Sequence, residues 1–485
     1  MPPVSTDHLS EAQQRGVREL LRIAPVIDEL GGRFQAAGAQ LALVGGSVRD
    51  ALLGRLGLDL DFTTSARPVE VERLLTGWAD AVWDIGREFG TIGARKGDWT
   101  IEITTFRAEA YDPDSRKPAV TFGDTLEGDL GRRDFTVNAL AVTLPDRGFV
   151  DPVGGLSDLA AGQLRTPGRP EDSFTDDPLR MMRAARFASQ LGFSVAPEVV
   201  AAIHAMADRI TIVSAERVRD ELVKLVLGGD PRAGLELLVG TGLADQVLPE
   251  LPALRLELDE HHRHKDVYEH SLTVLDQAIA MEGRVGTGGP DFVTRFAALM
   301  HDVGKPATRR FEDGGRVTFH HHEVKGARLT AKRMRALRFS GDQTDAVSRL
   351  VELHLRFHGY GGGEWTDSAV RRYVRDAGPL LDRLHVLTRA DCTTRNRRKA
   401  TALQRTYDQL EERIAVLAEE EELASIRPDL DGNEIMRTLE IPPGPVVGRA
   451  YKHLLEVRLD QGRLDKDAVR AELLRWWSEQ PEARA

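Results

Sequence analysis

The sequence predicts an α+β protein: a small head built on a mixed β-sheet with helices, followed by a mostly α-helical remainder. Three observations carry that expectation. The first 150 residues alternate short apolar runs with glycine- and proline-marked turns, the pattern of strands. Beyond residue 155 the apolar spacing becomes helical, as in LRMMRAARFASQLG (179–192) and ERVRDELVKLVLG (216–228). At 485 residues, 41% apolar and 29% charged, the chain exceeds what one hydrophobic core usually holds, so several domains are expected.

Residues 10–38 carry Leu20, Leu21, Ile27, Leu30 and Phe34 at near-helical spacing, which predicts a helix bracing the head. LALV (41–44) reads as a buried strand, Gly45-Gly46 as a tight turn, Ser47 as an N-cap, and VRDALL as one or two helical turns ended by Gly54. In LDLDF (58–62) a strand of period two sends Asp59 and Asp61 to one face and Leu58, Leu60 and Phe62 to the other. Further strands are expected at AVWDIG (81–86), TIGARKG (91–97), TIEITTF (100–106) and ALAVTL (139–144). YDPDSRKPAVTF (111–122) forms a polar, proline-interrupted loop between them.

The head's residues already suggest a chemistry. A glycine turn offers backbone N–H groups to an anion, Arg49 adds a cation, and two carboxylates on one strand face can share divalent ions. That combination points to nucleotidyl transfer from a triphosphate, with Mg²⁺ as the hard cation that carboxylates, water and phosphates suit. Glu102, alternating with Ile101 and Ile103, is either a third carboxylate of this set or an ordinary exposed strand residue. Asp177 and Arg180, three apart on a helix started by Asp176-Asp177 and Pro178, offer an acceptor beside a forked donor. Such a pair either bonds cytosine or adenine, which present an amino donor beside a ring-nitrogen acceptor, and rejects guanine and uracil, or is an ordinary helix-start acid in an i, i+3 ion pair.

The formal charge of −11 argues against a general nucleic-acid coat, so any RNA contact is local. Candidate basic clusters are Arg132-Arg133, Arg180 with Arg183 and Arg186, Arg371-Arg372, and RNRRK (395–399). The chain has no run of eighteen apolar residues, and MPPVSTDHLS has neither a basic nor an apolar targeting region, so a cytoplasmic protein without membrane partners is expected. The single Cys392 can form no internal disulfide. From HHRHKDVYEHS onward, through HDVGKP, TFHHHEVKGA, LVELHLRFH and LTRADCTTRN, histidines recur at spacings suited to metal binding.

GGSVRDALLGR followed by DLDFTT resembles the signature of bacterial tRNA nucleotidyltransferases, the CCA-adding enzymes and their poly(A) polymerase relatives. GRRDFTVNALA (131–141), FVDPVGGLSDL (149–159), DDPLRMMRAARFASQLGF (176–193) and SAERVRDELVKLV (214–226) resemble that family's later motifs in its order. The resemblance spans residues from about 40 to 400. It implies a CCA tRNA nucleotidyltransferase that adds C and A to the tRNA 3′ end from CTP and ATP. Catalysis would fall to Asp59, Asp61 and Glu102, with magnesium on the two aspartates. The nucleotide would be held by Gly45, Gly46, Arg49, Arg133, Asp134, Asn138, Asp177, Arg180, Arg183 and Arg186. DDPLR resembles the base-reading motif EDxxR with Asp176 in place of Glu, and Asp134 has the alternative role of a cap or ion-pair anchor.

His270, His301-Asp302 and Asp391 resemble the H…HD…D ligands of HD-domain phosphohydrolases, with His322 and His354 able to add a second ion. A divalent transition metal, Mn²⁺ or Mg²⁺ is implied there, with Lys305 set to meet a phosphate. His261, His262 and His264 receive no role.

The expected organisation is an N-terminal helix (1–33), a nucleotidyltransferase head (34–152), a helical neck (153–255), an HD domain (256–400) and a helical C-terminal region (401–485). Neighbouring readings are a poly(A) polymerase or an enzyme adding only A or only C. A protein- or alarmone-directed nucleotidyltransferase disagrees in motif and domain order. An HD phosphohydrolase with a relic RNA-binding head is opposed by the intact aspartates.

Overall fold

The computed structural model describes residues 16, 19–20, 22–87, 90–108, 121–255, 266–312, 316–357, 365–393, 397–421 and 426–484. Its two compact units are Met1–Pro249 and Glu250–Ala485. The break falls just before Leu251 and Leu254, both fully buried, in a turn that packs on the first helix of the second unit. Most of the 111–122 loop, His261, His262, His264, and Arg395 and Asn396 of RNRRK lie outside the described residues.

In the first unit, helix α1 (Ala24–Ala36) places Ile27, Leu30 and Phe34 against the sheet with no solvent exposure. That spacing of three and four is what makes it a helix with one apolar stripe. The sheet has seven strands in the order β3 (Ala81–Gly86), β4 (Thr91–Lys96), β5 (Trp99–Thr105), β2 (Asp59–Thr64), β1 (Leu41–Val44), β8 (Ala141–Leu144) and β9 (Phe149–Val150). A small ribbon, β6 (Arg107–Ala108) with β7 (Thr121–Phe122), stands apart. All four β1 residues are buried, as a central strand requires.

β1 runs antiparallel to β2 and β8, while β2 and β5 are parallel, joined by a crossover through α3 (Pro68–Leu75), β3 and β4. Thus every strand expected from the sequence forms. Leu60 and Phe62 are 1% exposed, as alternation requires, but Leu58 precedes the strand and is 51% exposed.

The turn after β1 differs from expectation in one detail. Gly45, at φ 67°, is the N-cap of α2 (Gly46–Leu52), and Ser47 lies inside the helix. The reason is a better use for its hydroxyl: Ser47 Oγ accepts from Asp61 N at 2.9 Å and donates to Asp59 O at 3.4 Å, tying α2 to β2.

The rest of this unit is helical. α4 (Leu126–Gly131) is capped by Thr125, and α5 (Gly155–Ala161) lies between two left-handed glycines. α6 (Pro170–Asp176), α7 (Leu179–Leu191), α8 (Pro197–Met206), α9 (Ala215–Val226), α10 (Pro231–Gly240) and α11 (Leu243–Val247) follow. α7 is their hub, packed on α9 and α10. Two short strands, β10 (Gln163–Leu164) and β11 (Ser194–Val195), pair in parallel beside it. Two residues are too few to leave a period in the sequence.

The second unit holds α12 (Val267–Met281), α13 (Phe292–Met300) and α14 (Lys305–Thr308), then a hairpin of β12 (Arg310–Glu312) and β13 (Arg316–Thr318) that the sequence pattern did not suggest. α15 (His322–Ala336), α16 (Gly341–Leu353), α17 (Asp367–Ala377), α18 (Leu381–Ala390) and the long α19 (Arg397–Glu421) complete its body. α20 (Gly432–Leu439), opened by an Asp431–Glu434 capping box, α21 (Pro445–Gln461) and α22 (Lys466–Ser478) close around Ile435, Leu454 and Leu473.

The basic pair Arg371-Arg372 is internal glue. Arg371 donates to Leu459 O, and Arg372 pairs with Asp460 and Glu456, so both tie α17 to α21. No described helix is long and apolar enough to cross a membrane.

Where α5 meets the segment before β8, a Cβ on Gly155 would stand 2.1 Å from the Thr136 carbonyl oxygen. Gly155→Ala is therefore expected to destabilise the first unit by about 1–3 kcal/mol, the usual cost of overpacking. The measurement is the shift in urea midpoint followed by tryptophan fluorescence.

Candidate active sites

The parallel pairing of β2 and β5 sets Asp61 directly beside Glu102, with Asp59 two residues earlier on the same face of β2. Three carboxylates therefore share one face of two adjacent strands, which favours the reading of Glu102 as part of the set. Asp61 remains open to solvent but is crowded by the walls around it. Burial lifts its carboxyl above the usual carboxylate range, Arg133 opposes that, and Asp59 adds to it. The Glu102 carboxyl is raised too, by burial first and then by Asp61 and Asp59. Like charges held together in this way suit a shared divalent cation.

Asp61 opens into a cleft of about 620 Å³ lined by eight cationic side chains and four carboxylates. Gly45, Gly46, Arg49, Arg133, Asp134, Asn138, Asp177, Arg180, Arg183 and Arg186 all line it, so the structure gathers every nucleotide-binding candidate into one space.

The glycines act less as anion donors than as clearance. Gly45 N–H is already bonded to Leu140 O at 3.1 Å. A Cβ there would meet Arg133 Nη1 at 2.6 Å, and one on Gly46 would lie 3.6 Å from Arg49 Nη2. Without side chains at these positions, two guanidinium groups approach the strand end. Arg49 donates to Asn138 Oδ1 at 2.5 Å and to both Asp50 oxygens, and Arg133 pairs with Asp129 at 3.3 Å.

The expected pairing on α7 is rearranged. Asp176 ends α6, and Asp177 sits at the junction before α7, where its Oδ1 accepts from Leu179 N at 3.1 Å and its Oδ2 pairs with Arg217 at 2.8 Å. Arg180 donates instead to Ser173 Oγ at 2.8 Å and Arg132 O at 2.6 Å. The proline break explains this, because it separates the two residues onto a cap and a helix. Both side chains still face the cleft.

Arg183 and Arg186, expected to face phosphates, have carboxylate partners: Asp134 at 2.6 Å and Glu221 at 3.2 Å. Asp134 is thus an ion-pair anchor. Burial works against its charge, but Arg183, the Asn138 hydrogen bond and Arg180 outweigh it and hold the carboxyl below its ordinary range.

Sequence reasoning did not single out Arg107, Asp129, Phe187 or Lys224 as lining the cleft. Phe187 had a readable signal, since Arg183 and Arg186 flank it one turn and one residue away. Its ring is surrounded by Arg49, Arg183 and Arg186 at 5.2, 5.7 and 4.0 Å.

In the second unit, six widely spaced residues converge. His270 Nε2 lies 3.0 Å from Asp391 Oδ1 and 3.3 Å from His301 Nε2, and His301 Nε2 lies 3.3 Å from Asp302 Oδ2. On the other side of Asp302, Oδ1 is 3.2 Å from His322 Nε2 and 3.9 Å from His354 Nε2. Two clusters of metal-ligand geometry result, His270–His301–Asp302 and Asp302–His322–His354, with Asp302 common to both.

The imidazoles are oriented from behind. His301, His322 and His354 contact the carbonyls of Ala298, Phe319 and Val351 through Nδ1 at 2.7–2.8 Å, each three residues upstream. As Nδ1–H donors they leave the Nε2 lone pairs aimed at the centre, the arrangement of metal-binding histidines.

Burial and then His301 push His354 down to about 4, so its imidazole is neutral at pH 7. Asp302, against the effect of burial, is held well below the carboxylate range by His301, His322 and Lys305. Four imidazoles and two carboxylates fit a borderline or transition-metal dication well. Lys305 differs from expectation, its Nζ bonding Asp302 Oδ2 at 2.6 Å. Cys392, next to Asp391, is in no disulfide.

Residues 41–165 match the model of the poly A polymerase head domain, 192–254 that of the probable RNA and SrmB-binding site of polymerase A, and 267–396 that of the HD domain. An A-adding tRNA nucleotidyltransferase of Deinococcus radiodurans is 33% identical over 91% of this chain and 96% of its own length. A CCA-adding enzyme of Lacticaseibacillus paracasei is 45% identical over 44% of this chain, which spans about half (52%) of that relative. The solved Bacillus stearothermophilus CCA-adding enzyme with CTP shares the fold, with a TM-score of 0.64 at 23% identity over 96% of this chain and 98% of that one.

Because the histidine-aspartate set is preformed, Mn²⁺ is expected to stabilise the second unit, by about 2.7 kcal/mol at one hundred times its dissociation constant. Scanning calorimetry would show a rise in that unit's melting temperature, absent in His301→Ala.

Proposed function

The chain belongs to the tRNA nucleotidyltransferase family, and from that membership we propose that it builds the CCA end of tRNA from CTP and ATP. The observation that carries this reading is the three-carboxylate face of β2 and β5, whose Asp61 lines a nucleotide-sized, arginine-rich cleft. Magnesium, held by Asp59 and Asp61 with Glu102 beside them, would neutralise charge on the attacking and leaving oxygens. Arg49 and Arg133, cleared by Gly45 and Gly46, hold the triphosphate with its α-phosphorus toward the carboxylates. The tRNA 3′-hydroxyl oxygen bonds to that phosphorus as the bond to the bridging oxygen breaks, and pyrophosphate leaves.

Asp177 and Arg180 read the base. Arg217 holds the acceptor, and Ser173 with Arg132 O holds the donor, so neither side chain swings freely toward a guanine or uracil edge. Asp134 keeps Arg183 in the wall, and Asn138 keeps Arg49 there. From the tRNA substrate we infer a cytoplasmic location.

The full-length likeness to an A-adding relative supports a second reading, addition of A alone. Incubation with tRNA lacking CCA and each labelled triphosphate separates the two. CCA addition requires C incorporation before A, whereas A addition confined to tRNA already ending in CC would establish the narrower activity. In the same assay Asp61→Ala is expected to lose about a hundred- to a thousandfold in rate, the order of removing one preorganised charge-stabilising group.

The second unit we read as a metal-dependent phosphohydrolase using His270, His301, Asp302, Asp391, His322 and His354, with a bound divalent ion supplying an activated water. His301→Ala should abolish hydrolysis of a ribonucleoside cyclic phosphate while nucleotide addition stays within about twofold. Parallel loss of both activities would refute the division of labour.

A further inference from the structure

One carboxylate of the head cleft has no part in the nucleotidyl-transfer reading. Asp129, on α4, lines the cleft yet is only 6% exposed. Its Oδ1 accepts from Arg107 N at 3.2 Å, and its Oδ2 lies 3.3 Å from both Thr63 Oγ1 and Arg133 Nη2. Thr63 stands two residues after Asp61 on β2, so strand alternation puts Asp59, Asp61 and Thr63 on one face. Asp129 is thereby fixed to the strand that carries the two aspartates. Three protein contacts already occupy its oxygens, which suits an anchor better than a cation ligand.

The group it anchors has a second carboxylate within reach. Consecutive glycines set Arg133 close to Asp61: a Cβ on Gly45 would lie 2.6 Å from Arg133 Nη1, and one on Gly46 would lie 3.9 Å from Asp61 Oδ2. Among the cations around it, Asp61 feels the charge of Arg133 more than that of Arg49. The ion pair that Arg133 makes is nonetheless with Asp129, four residues earlier in the chain. A guanidinium released from Asp129 would meet Asp61 across the glycine turn. There it would repel any mobile cation drawn to the same carboxylate.

We propose that Asp129 is a positioning residue that holds Arg133 off Asp61 and so leaves that carboxylate free for magnesium. This rests on the reading of Asp61 as a magnesium-holding residue and adds the group that protects it. A purely structural tie of α4 to β2 predicts something different. Weakening such a tie loosens the fold, whereas releasing Arg133 raises the demand for magnesium, and does so only while Arg133 is present.

The test is the equilibrium affinity of the full chain for ATP, without tRNA, measured by isothermal titration calorimetry across a range of Mg²⁺ concentrations. Asp129→Asn is expected to raise the Mg²⁺ midpoint by about 10- to 100-fold, the usual cost of disturbing the residues behind a metal ligand. Combining Asp129→Asn with Arg133→Gln should return the midpoint to that of the unaltered chain, while ATP binds more weakly because the triphosphate has lost one cation. Thr63→Val removes an Asp129 contact and keeps the ion pair, so its midpoint should not move. An unchanged midpoint in Asp129→Asn, a midpoint still raised in the double variant, or a rise in Thr63→Val equal to that in Asp129→Asn would each overturn the proposal. So would failure to fold in both Asp129→Asn proteins, which would make Asp129 a structural tie. If ATP binding to the unaltered chain ignores Mg²⁺, the magnesium reading of Asp61 falls and takes the proposal with it. A response to Mg²⁺ that Asp129→Asn leaves unmoved sinks the proposal alone.

Discussion

The architecture of the head is governed by one constraint: three carboxylates of like charge are pinned to one face of two adjacent strands and cannot move apart. β2 and β5 hold them through a continuous parallel register, and the Ser47 hydroxyl fixes the backbone at both aspartates. Electrostatic strain of this kind persists only when the surroundings over-determine it, and here they do. The apolar sides of the same strands, Leu60, Phe62, Ile101 and Ile103, are buried with at most 1% exposure. Folding energy drawn from those side chains maintains an arrangement that the carboxylates alone would disperse.

Most of this was legible in the sequence because strand alternation is a local property. Asp59, Asp61 and Glu102 each sit between apolar neighbours, and period two alone assigns their face. What local pattern cannot supply is pairing. That Glu102 lies beside Asp61 follows from a crossover spanning some forty residues. That Asp177 answers to Arg217, and Arg183 to Asp134, depends on how α7 lies against α9 and the segment before β8. The proline at 178 was visible, but its consequence, that Asp177 becomes a cap while Arg180 turns toward α6, required the third dimension. The short β10–β11 and β12–β13 pairs were missed because two or three residues establish no period.

The second unit shows the opposite balance. Its candidate ligands are scattered from His270 to Asp391, and the sequence suggested them through the string HDVGK and through histidines at helix boundaries. The structure adds the shared role of Asp302, one oxygen facing His301 and the other His322, and the rear support of three imidazoles by the carbonyl three residues before each. For His301 and His354 the helix that each residue ends supplies that carbonyl and so selects the tautomer, while for His322 the segment just before its helix does so.

The charge distribution has a consequence for how a large polyanion reaches the head. With a net charge of −11 overall and twice as many cations as carboxylates around the cleft, the cleft gathers positive charge in a chain that is acidic on average. That contrast draws a polyanion toward the cleft and steers its encounters there. Selectivity for one end of a long, uniformly charged molecule can thus begin before any base is touched.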